Sequence, residues 1–186
     1  KDGPSLIPVP EDVVGKVTSV FMTSDKHILI GSNNGLYKMI PDNSHRVEFL
    51  GLKQKVWSIS EIDGNLFIGG NSGTMIYDNF GKFTKISDVG GGTDILRLRN
   101  GDLVQATFAP IYSFKRNSSS WEQEIYIKNF YVPALNLLED HLGNLWVEHI
   151  DQGLYHVSGR EQTDEIRFYR SLEGNSTPEK IHVNEF

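Results

Sequence analysis

The sequence contains no cysteine among its 186 residues, and this absence removes several chemistries at once. Without a thiol the chain can form no disulfide, hold no metal through thiolate ligands and use no cysteine nucleophile. Long apolar runs are also missing, since a membrane-spanning helix needs about 18 or more consecutive apolar residues and no such run occurs. We therefore expect no membrane segment in this part of the chain, and its first residues do not show a signal-peptide pattern.

Clusters of basic residues are missing as well. The 18 lysine and arginine residues are outnumbered by 24 acidic residues and are scattered, which leaves a net charge of −6. Because a phosphate backbone is bound by clustered basic side chains, nucleic acid is not an expected partner. Hydrophobic residues make up 38% of the sequence and aromatic residues 11%, which is enough to build a packed core.

An internal repeat organises the chain. The segment Val17–Met39 is similar to Val56–Asp78, and Gly35 and Gly73 occupy equivalent places in the two segments. Two further copies, of which the earlier is the weaker, cover Asp94–Phe114 and Ala134–Val157. A period of about 40 residues is typical of an array of small structural units that pack on one another.

Each copy consists of β-prone runs separated by turns. The dipeptide Asp63-Gly64 supplies the positive φ that a tight hairpin needs, and alternating apolar residues follow it. A fourth β-prone run follows each copy, over His45–Leu50, Lys82–Ser87, Ser120–Ile127 and Glu165–Arg170. Four short antiparallel strands in about 40 residues are the pattern of a β-propeller blade, so the sequence predicts an all-β fold of four blades.

The predicted boundaries divide the whole chain into blades. They lie at 13–53, 54–90, 91–130 and 131–175, and 176–186 is predicted to start a further blade. One alternative stays open, because Ala134–Leu142 can also be interpreted as a helix. Since an inner strand without a neighbour exposes its edge, we expect the chain to be a fragment of a larger propeller. Such a piece must close differently, dimerise or remain marginally stable.

The fourth copy contains the residues of a known repeat. An apolar run leads to Glu-Asp, a Gly-Asn turn, Leu-Trp and, after a short loop, Gly-Leu-Tyr. These positions are Glu139, Asp140, Gly143, Asn144, Leu145, Trp146, Val147, Gly153, Leu154 and Tyr155. The pattern resembles the two-component regulator propeller repeat, and Gly35–Met39 and Asp63–Gly70 repeat parts of it. The third copy departs most, with Val104 at the aromatic position and Ala109–Tyr112 in place of Gly-Leu-Tyr.

The resemblance implies a function. Repeats of this family occur in the extracytoplasmic sensor regions of bacterial hybrid histidine kinases, many of which regulate polysaccharide use in Bacteroides-type bacteria. It therefore implies a periplasmic sensor module of a membrane-anchored two-component regulator, with an oligosaccharide as its signal, a homodimer as its assembly and no cofactor. Because the sequence contains no kinase part, the resemblance implies no catalysis by this chain.

Polar and aromatic residues are predicted to gather on one face of the propeller. In a four-stranded blade the loop between the second and third strands opens on the same face as the loop before the first strand. The candidate ligand-binding residues in these loops are Asn33, Asn34, Asn71, Phe108, His149, Asp151 and Trp57. Amide, imidazole, carboxylate and indole groups suit a carbohydrate, and they equally suit an ordinary solvated loop. Trp57 can also be a core residue, and Trp146 is expected to pack within its blade.

Other sites have less support in the sequence. The three histidines His141, His149 and His156 lie near the Glu-Asp pair, but these acids precede a hairpin turn and no metal-ligand motif is present, so no metal is expected. The glycine run in Gly90–Asp94 precedes neither a helix nor a suitable lysine, and we expect it to connect two blades.

Two other functions remain open. The chain can be a protein-interaction scaffold with no small-molecule ligand, a role that many propellers have. It can also be a propeller glycosidase or lyase, which would need paired acids that converge on the channel. Because the acidic residues lie mostly at predicted turns, no catalytic residue is predicted.

Overall fold

The structure, a computed structural model, describes residues 11–40, 46–117, 120–158, 165–170 and 179–181. Its strands form four antiparallel sheets that follow one another along the chain, one for each copy of the repeat. The prediction of an all-β chain built from four propeller blades is confirmed. Within the described residues, no helix has the length and apolar character to cross a membrane.

Every blade is a meander whose strands pair in chain order. After one helical turn, α1 (Glu11–Val14), the first blade contains β1 (Val17–Met22), β2 (Ile28–Ser32), β3 (Leu36–Met39) and β4 (Val47–Phe49). The second blade contains β5 (Val56–Ile62), β6 (Asn65–Gly70), β7 (Gly73–Tyr77) and β8 (Phe83–Ser87). The third contains β9 (Asp94–Arg97), β10 (Leu103–Ala106), β11 (Tyr112–Arg116) and β12 (Trp121–Ile125). The fourth contains β13 (Ala134–Glu139), β14 (Leu145–His149), β15 (Gly153–Ser158), β16 (Glu165–Arg170) and β17 (Glu179–Ile181).

The first turn of the second blade shows how the sequence sets strand register. Asp63 has φ 51° and Gly64 has φ 72°, so both adopt the left-handed conformation that this short turn requires. Ile62 pairs with Asn65 directly across the turn. Because side chains alternate along a strand, this register decides which residues of β6 face each neighbouring blade.

Two further stretches singled out in the sequence contain β-strands. Ala134–Glu139 is strand β13, so the helical alternative for Ala134–Leu142 is wrong. Glu179–Ile181, the described part of 176–186, pairs antiparallel with β16. It therefore adds a fifth strand to the outer edge of the fourth blade instead of opening another sheet, and the rest of 176–186 lies outside the described residues.

The hydrophobic core lies in layers between successive blades, whose innermost strands β1, β5, β9 and β13 lie side by side. Ile68 and Phe67 are neighbours on β6 but face opposite ways. Ile68 packs between the first and second blades, and Phe67 packs between the second and third. The third layer, between the third and fourth blades, contains the buried Phe130. Since side chains alternate, a blade enclosed on both sides needs apolar residues on both faces.

Hydroxyl groups join each blade to the next. The bonds run from Thr18 Oγ1 to the Val56 carbonyl, from Ser58 Oγ to the Gly92 carbonyl at 3.0 Å, and from Thr93 Oγ1 to the Ala134 carbonyl at 2.6 Å. A fully buried bond of 2.9 Å from Thr74 Oγ1 to Gln105 Oε1 adds a second link between the second and third blades. These bonds satisfy polar groups that the blade contacts would otherwise bury without a partner.

The second and third blades approach each other very closely at Gly69, near the end of β6. A Cβ atom on Gly69 would lie 2.1 Å from the carbonyl oxygen of Gly92 and 2.5 Å from Ser58 Oγ. No side chain fits in that space. Glycine is therefore required at this position because the backbone of the next blade lies against it.

Candidate functional site

The loops with the predicted site residues lie at one end of the blades, which we call the loop face. It contains the residues that follow the second strands and those that precede the first strands. Backbone N–H groups of the former donate to carbonyls of the latter, from Asn33 to Lys16 at 3.0 Å, from Asn71 to Lys55 at 3.0 Å and from Ile150 to Pro133 at 3.2 Å. The backbone itself therefore holds the two kinds of loop together.

Three of the predicted residues meet on the loop face of the second and third blades. Trp57 Nε1 donates a hydrogen bond of 2.6 Å to Asn71 Oδ1. The ring of Phe108 stands edge-on to the indole, with ring centroids 5.0 Å apart and an angle of 84° between the planes. Lys55 Nζ lies 3.5 Å from the centroid of the Trp57 ring. We call these four residues, Lys55, Trp57, Asn71 and Phe108, the Trp57 cluster.

Local backbone features place the aromatic rings of the cluster. The pairing of β5 with β6 is irregular between Val56 and Ser58, and Trp57 is the residue at this irregularity. Phe108 follows β10, and its ring covers Gly91, which has φ 77°. A Cβ atom on Gly91 would lie 2.6 Å from Phe108 Cδ2. Part of the glycine run predicted to connect blades therefore makes room for an aromatic ring of the cluster.

The Trp57 cluster combines an aromatic surface with polar groups and is open to solvent. Phe108 is 40% exposed, Trp57 is half-buried, and Asn71 is exposed. The ammonium of Lys55 is held over the indole by attraction to the ring quadrupole. No described residue engages Nδ2 of Asn71, so this amide can donate to a ligand while its oxygen orients the indole.

Asn33 occupies the same place in the first blade as Asn71 does in the second, but its surroundings differ. It lies with Asn34 and Tyr37 in the lining of a depression of about 570 Å³ on the loop face. The first blade has no tryptophan at this end, because Thr18 follows the start of β1 where Trp57 follows the start of β5. Gln54 also lines the depression, and its Oε1 accepts a 2.7 Å bond from the backbone N–H of Ser72, the residue after Asn71.

His149 and Asp151 form a separate group after β14. Nδ1 of His149 lies 2.8 Å from Oδ1 of Asp151 and 3.1 and 3.2 Å from the backbone nitrogens of Asp151 and Gln152. The histidine side chain is buried, whereas the aspartate is exposed. These contacts close the turn between β14 and β15, so the pair has a local structural role within its own blade.

Asp140 organises the first turn of the fourth blade. Its carboxylate accepts hydrogen bonds from the N–H groups of Leu142 and Asn144 at 2.9 Å, from Asn144 Nδ2 at 3.0 Å and from Trp146 Nε1 at 3.1 Å. Desolvation raises the pKa of Asp140, but the bonds from Asn144, Trp146 and Leu142 outweigh it and hold the pKa well below its ordinary value. Among the described residues, no three His, Asp or Glu side chains are grouped to hold a metal ion.

The sequence did not indicate two features of the Trp57 cluster. Lys55 was not among the predicted residues, although Lys16 precedes β1 as Lys55 precedes β5, and this repetition was a usable signal. The contact between Trp57 and Phe108 could not be predicted either. It joins two blades, and no local pattern shows how neighbouring blades are oriented.

No protein-family model matches the chain, and no curated protein matches its sequence. Solved structures do share its fold. The extracellular domain of the hybrid two-component system BT4673 from B. thetaiotaomicron is 21% identical with a TM-score of 0.60, over 70% of this chain and 20% of that one. The extracellular domain of the hybrid two-component system BT3049 from the same organism is 16% identical with a TM-score of 0.65, over 89% of this chain and 24% of that one.

At these identities the likeness establishes a shared fold. The chain spans 20% to 24% of the length of the structures that it matches. Blades arranged like these therefore exist within extracellular domains of that kind, which contain much more structure than this chain.

Proposed function

We propose that the chain is a periplasmic recognition module of a membrane-anchored two-component regulatory protein, and that it binds an oligosaccharide at the Trp57 cluster. Two observations support this proposal. The chain shares its fold with part of the extracellular domains of two hybrid two-component systems, and the cluster presents an exposed aromatic surface beside polar groups. The proposed role is recognition, with catalysis assigned to no residue of this chain.

The chemistry of the cluster suits a sugar. One face of a pyranose ring presents C–H groups that pack on an indole, and its hydroxyls need fixed donors and acceptors. Trp57 supplies the platform, and its bond to Asn71 limits rotation of the ring. Because Phe108 comes from the third blade, a ligand that contacts both aromatic rings would bridge two blades.

Calorimetric titration of the 186-residue chain with short malto-, xylo- and arabino-oligosaccharides tests this proposal. We expect one of these probes to bind and Trp57→Ala to weaken its binding by at least about tenfold, which corresponds to about 1.4 kcal/mol. Phe80→Ala is the matched control, since Phe80 is 96% exposed and lies in the loop between β7 and β8, at the opposite end of the blade. Binding that is unchanged by Trp57→Ala would contradict the proposed site.

A second copy of the chain is the protein partner that we propose for this module. Support comes from apolar side chains that the described residues leave exposed, such as Val20 at 66% and Leu138 at 63%. The same exposure favours the alternative function, a protein-interaction scaffold without a small-molecule ligand. A chain that self-associates but binds no carbohydrate would support that alternative.

A further inference from the structure

Lys55 gives the Trp57 cluster a positive charge that no described carboxylate neutralises. Its ammonium lies 3.5 Å from the centroid of the indole, and its side chain is half-buried. The ion pairs among the described residues join other basic side chains to acidic groups, and Lys55 takes part in none of them. A negatively charged ligand can therefore pair with this ammonium without separating an existing ion pair.

The acidic groups of the neighbouring loop are already engaged. Asp88 forms an ion pair with Lys85. Asp94 accepts two hydrogen bonds of 2.8 Å from backbone N–H groups. Lys53 is exposed, lies two residues before Lys55 and likewise forms no ion pair with a described residue. The loop before β5 therefore presents two positive charges that the described acidic groups do not pair with.

Many of the acidic groups lie at the opposite end of the blades. Asp63 forms an ion pair with Arg97 there. Asp78 and Asp140 each accept hydrogen bonds from backbone N–H groups of their own turns. Although the net charge of the chain is −6, these carboxylates lie away from the loop face. The end of the blades that contains Lys55 is therefore the end that attracts an anion.

The ammonium of Lys55 also occupies space that a sugar needs. It covers one face of the indole, where the attraction between a cation and an aromatic ring holds it. A neutral sugar that packs on this face must displace the ammonium and offers it no charge in return. A carboxylate on the sugar ring gives the displaced ammonium a charge-assisted hydrogen bond, which is stronger than a bond between neutral groups.

We propose that the ligand of the Trp57 cluster is an acidic oligosaccharide, whose uronate carboxylate pairs with Lys55 while its sugar ring packs on Trp57. The inference rests on the carbohydrate site proposed above and narrows its ligand to sugars that carry a carboxylate. Phe108 and Asn71 contribute an aromatic ring and an amide, which serve a charged and a neutral sugar alike. Lys55 is therefore the residue that sets the preference for charge.

Calorimetric titration with trigalacturonate and with its methyl ester tests the inference, because esterification removes the charge and keeps the sugar rings. We expect the unaltered chain to bind the acid at least about tenfold more tightly than the ester. Lys55→Gln should remove this difference, and Lys55→Arg should retain it because the positive charge remains. Added salt should weaken binding of the acid and leave binding of the ester unchanged.

Lys16→Gln is the matched control. Lys16 is exposed and precedes β1 as Lys55 precedes β5, and Thr18 stands there in place of Trp57. The variant removes the same charge from the same place in the neighbouring blade, so it should keep the full preference for the acid. A preference that is lost equally in both variants would overturn the assignment to Lys55, since the net charge of the chain would then explain it.

The remaining outcomes separate this inference from the proposed function. Equal affinity of the unaltered chain for the acid and the ester would overturn the acidic preference and leave the carbohydrate site in place. Binding of a neutral malto-, xylo- or arabino-oligosaccharide without binding of trigalacturonate would do the same. A chain that binds none of these carbohydrates would overturn both proposals.

Discussion

Trp57 donates its indole N–H to Oδ1 of Asn71 across 2.6 Å, and this bond joins the first strand of the second blade to the loop after the second strand. The same indole stands edge-on to the ring of Phe108 of the third blade. The candidate site therefore depends both on one blade's internal register and on the packing of two blades. Asn71→Ala tests the contact within the second blade, and Gly69→Ala tests the packing of the second blade on the third.

Asn71→Ala should weaken carbohydrate binding more than it weakens the fold. It removes the acceptor that orients the indole, so we expect affinity to fall by about tenfold. Because Asn71 is exposed, the free energy of unfolding should change by less than about 1 kcal/mol. Calorimetry and urea unfolding measure the two effects. Asn33→Ala, at the same place in the first blade, is the control, and an equal loss there would move the site to the 570 Å³ depression.

Gly69→Ala should destabilise the chain strongly, because the added methyl group would lie 2.1 Å from the carbonyl oxygen of Gly92. Backbone cannot rotate away as a side chain can, so we expect a loss of about 3 kcal/mol in the free energy of unfolding. Gly64→Ala is the matched comparison. Gly64 has φ 72° and nothing within 4 Å of the added atom, so only the cost of the left-handed conformation, about 1 kcal/mol, applies. Equal losses in chemical denaturation would show that the blades can separate at Gly69.

Asp140 should make stability depend on acid pH. Its pKa in the folded chain is lower than its ordinary value of 3.8, so its ionised form stabilises the fold fully above that value. This contribution is lost as the pH falls below 3.8 towards the lowered pKa, because the unfolded chain then binds the proton first. In unfolding midpoints measured between neutral and strongly acidic pH, Asp140→Asn should flatten the decline. A variant with the same pH dependence as the unaltered chain would show that the carboxylate does not stabilise the turn.

The sequence and the structure agree where local chemistry decides the outcome. The turn at Asp63 and Gly64 needs only two residues that tolerate positive φ, and alternation along β6 then assigns each side chain to a face. The four-blade architecture was predictable because every blade repeats such local signals. The helical alternative for Ala134–Leu142 was wrong because apolar residues at that spacing suit a helix and an enclosed strand equally well.

For the candidate site, the sequence determined which residues lie in the loops of one face, and the tertiary structure decided which of them meet. Trp57, Asn71 and Phe108 come together, whereas Asn33 lies in the depression on the first blade. His149 and Asp151 contact each other in the turn between β14 and β15. The physical reason is the distance along the chain over which each kind of interaction acts. Turn and strand preferences act between residues a few positions apart, whereas contact between blades depends on side-chain packing along the whole length of both sheets.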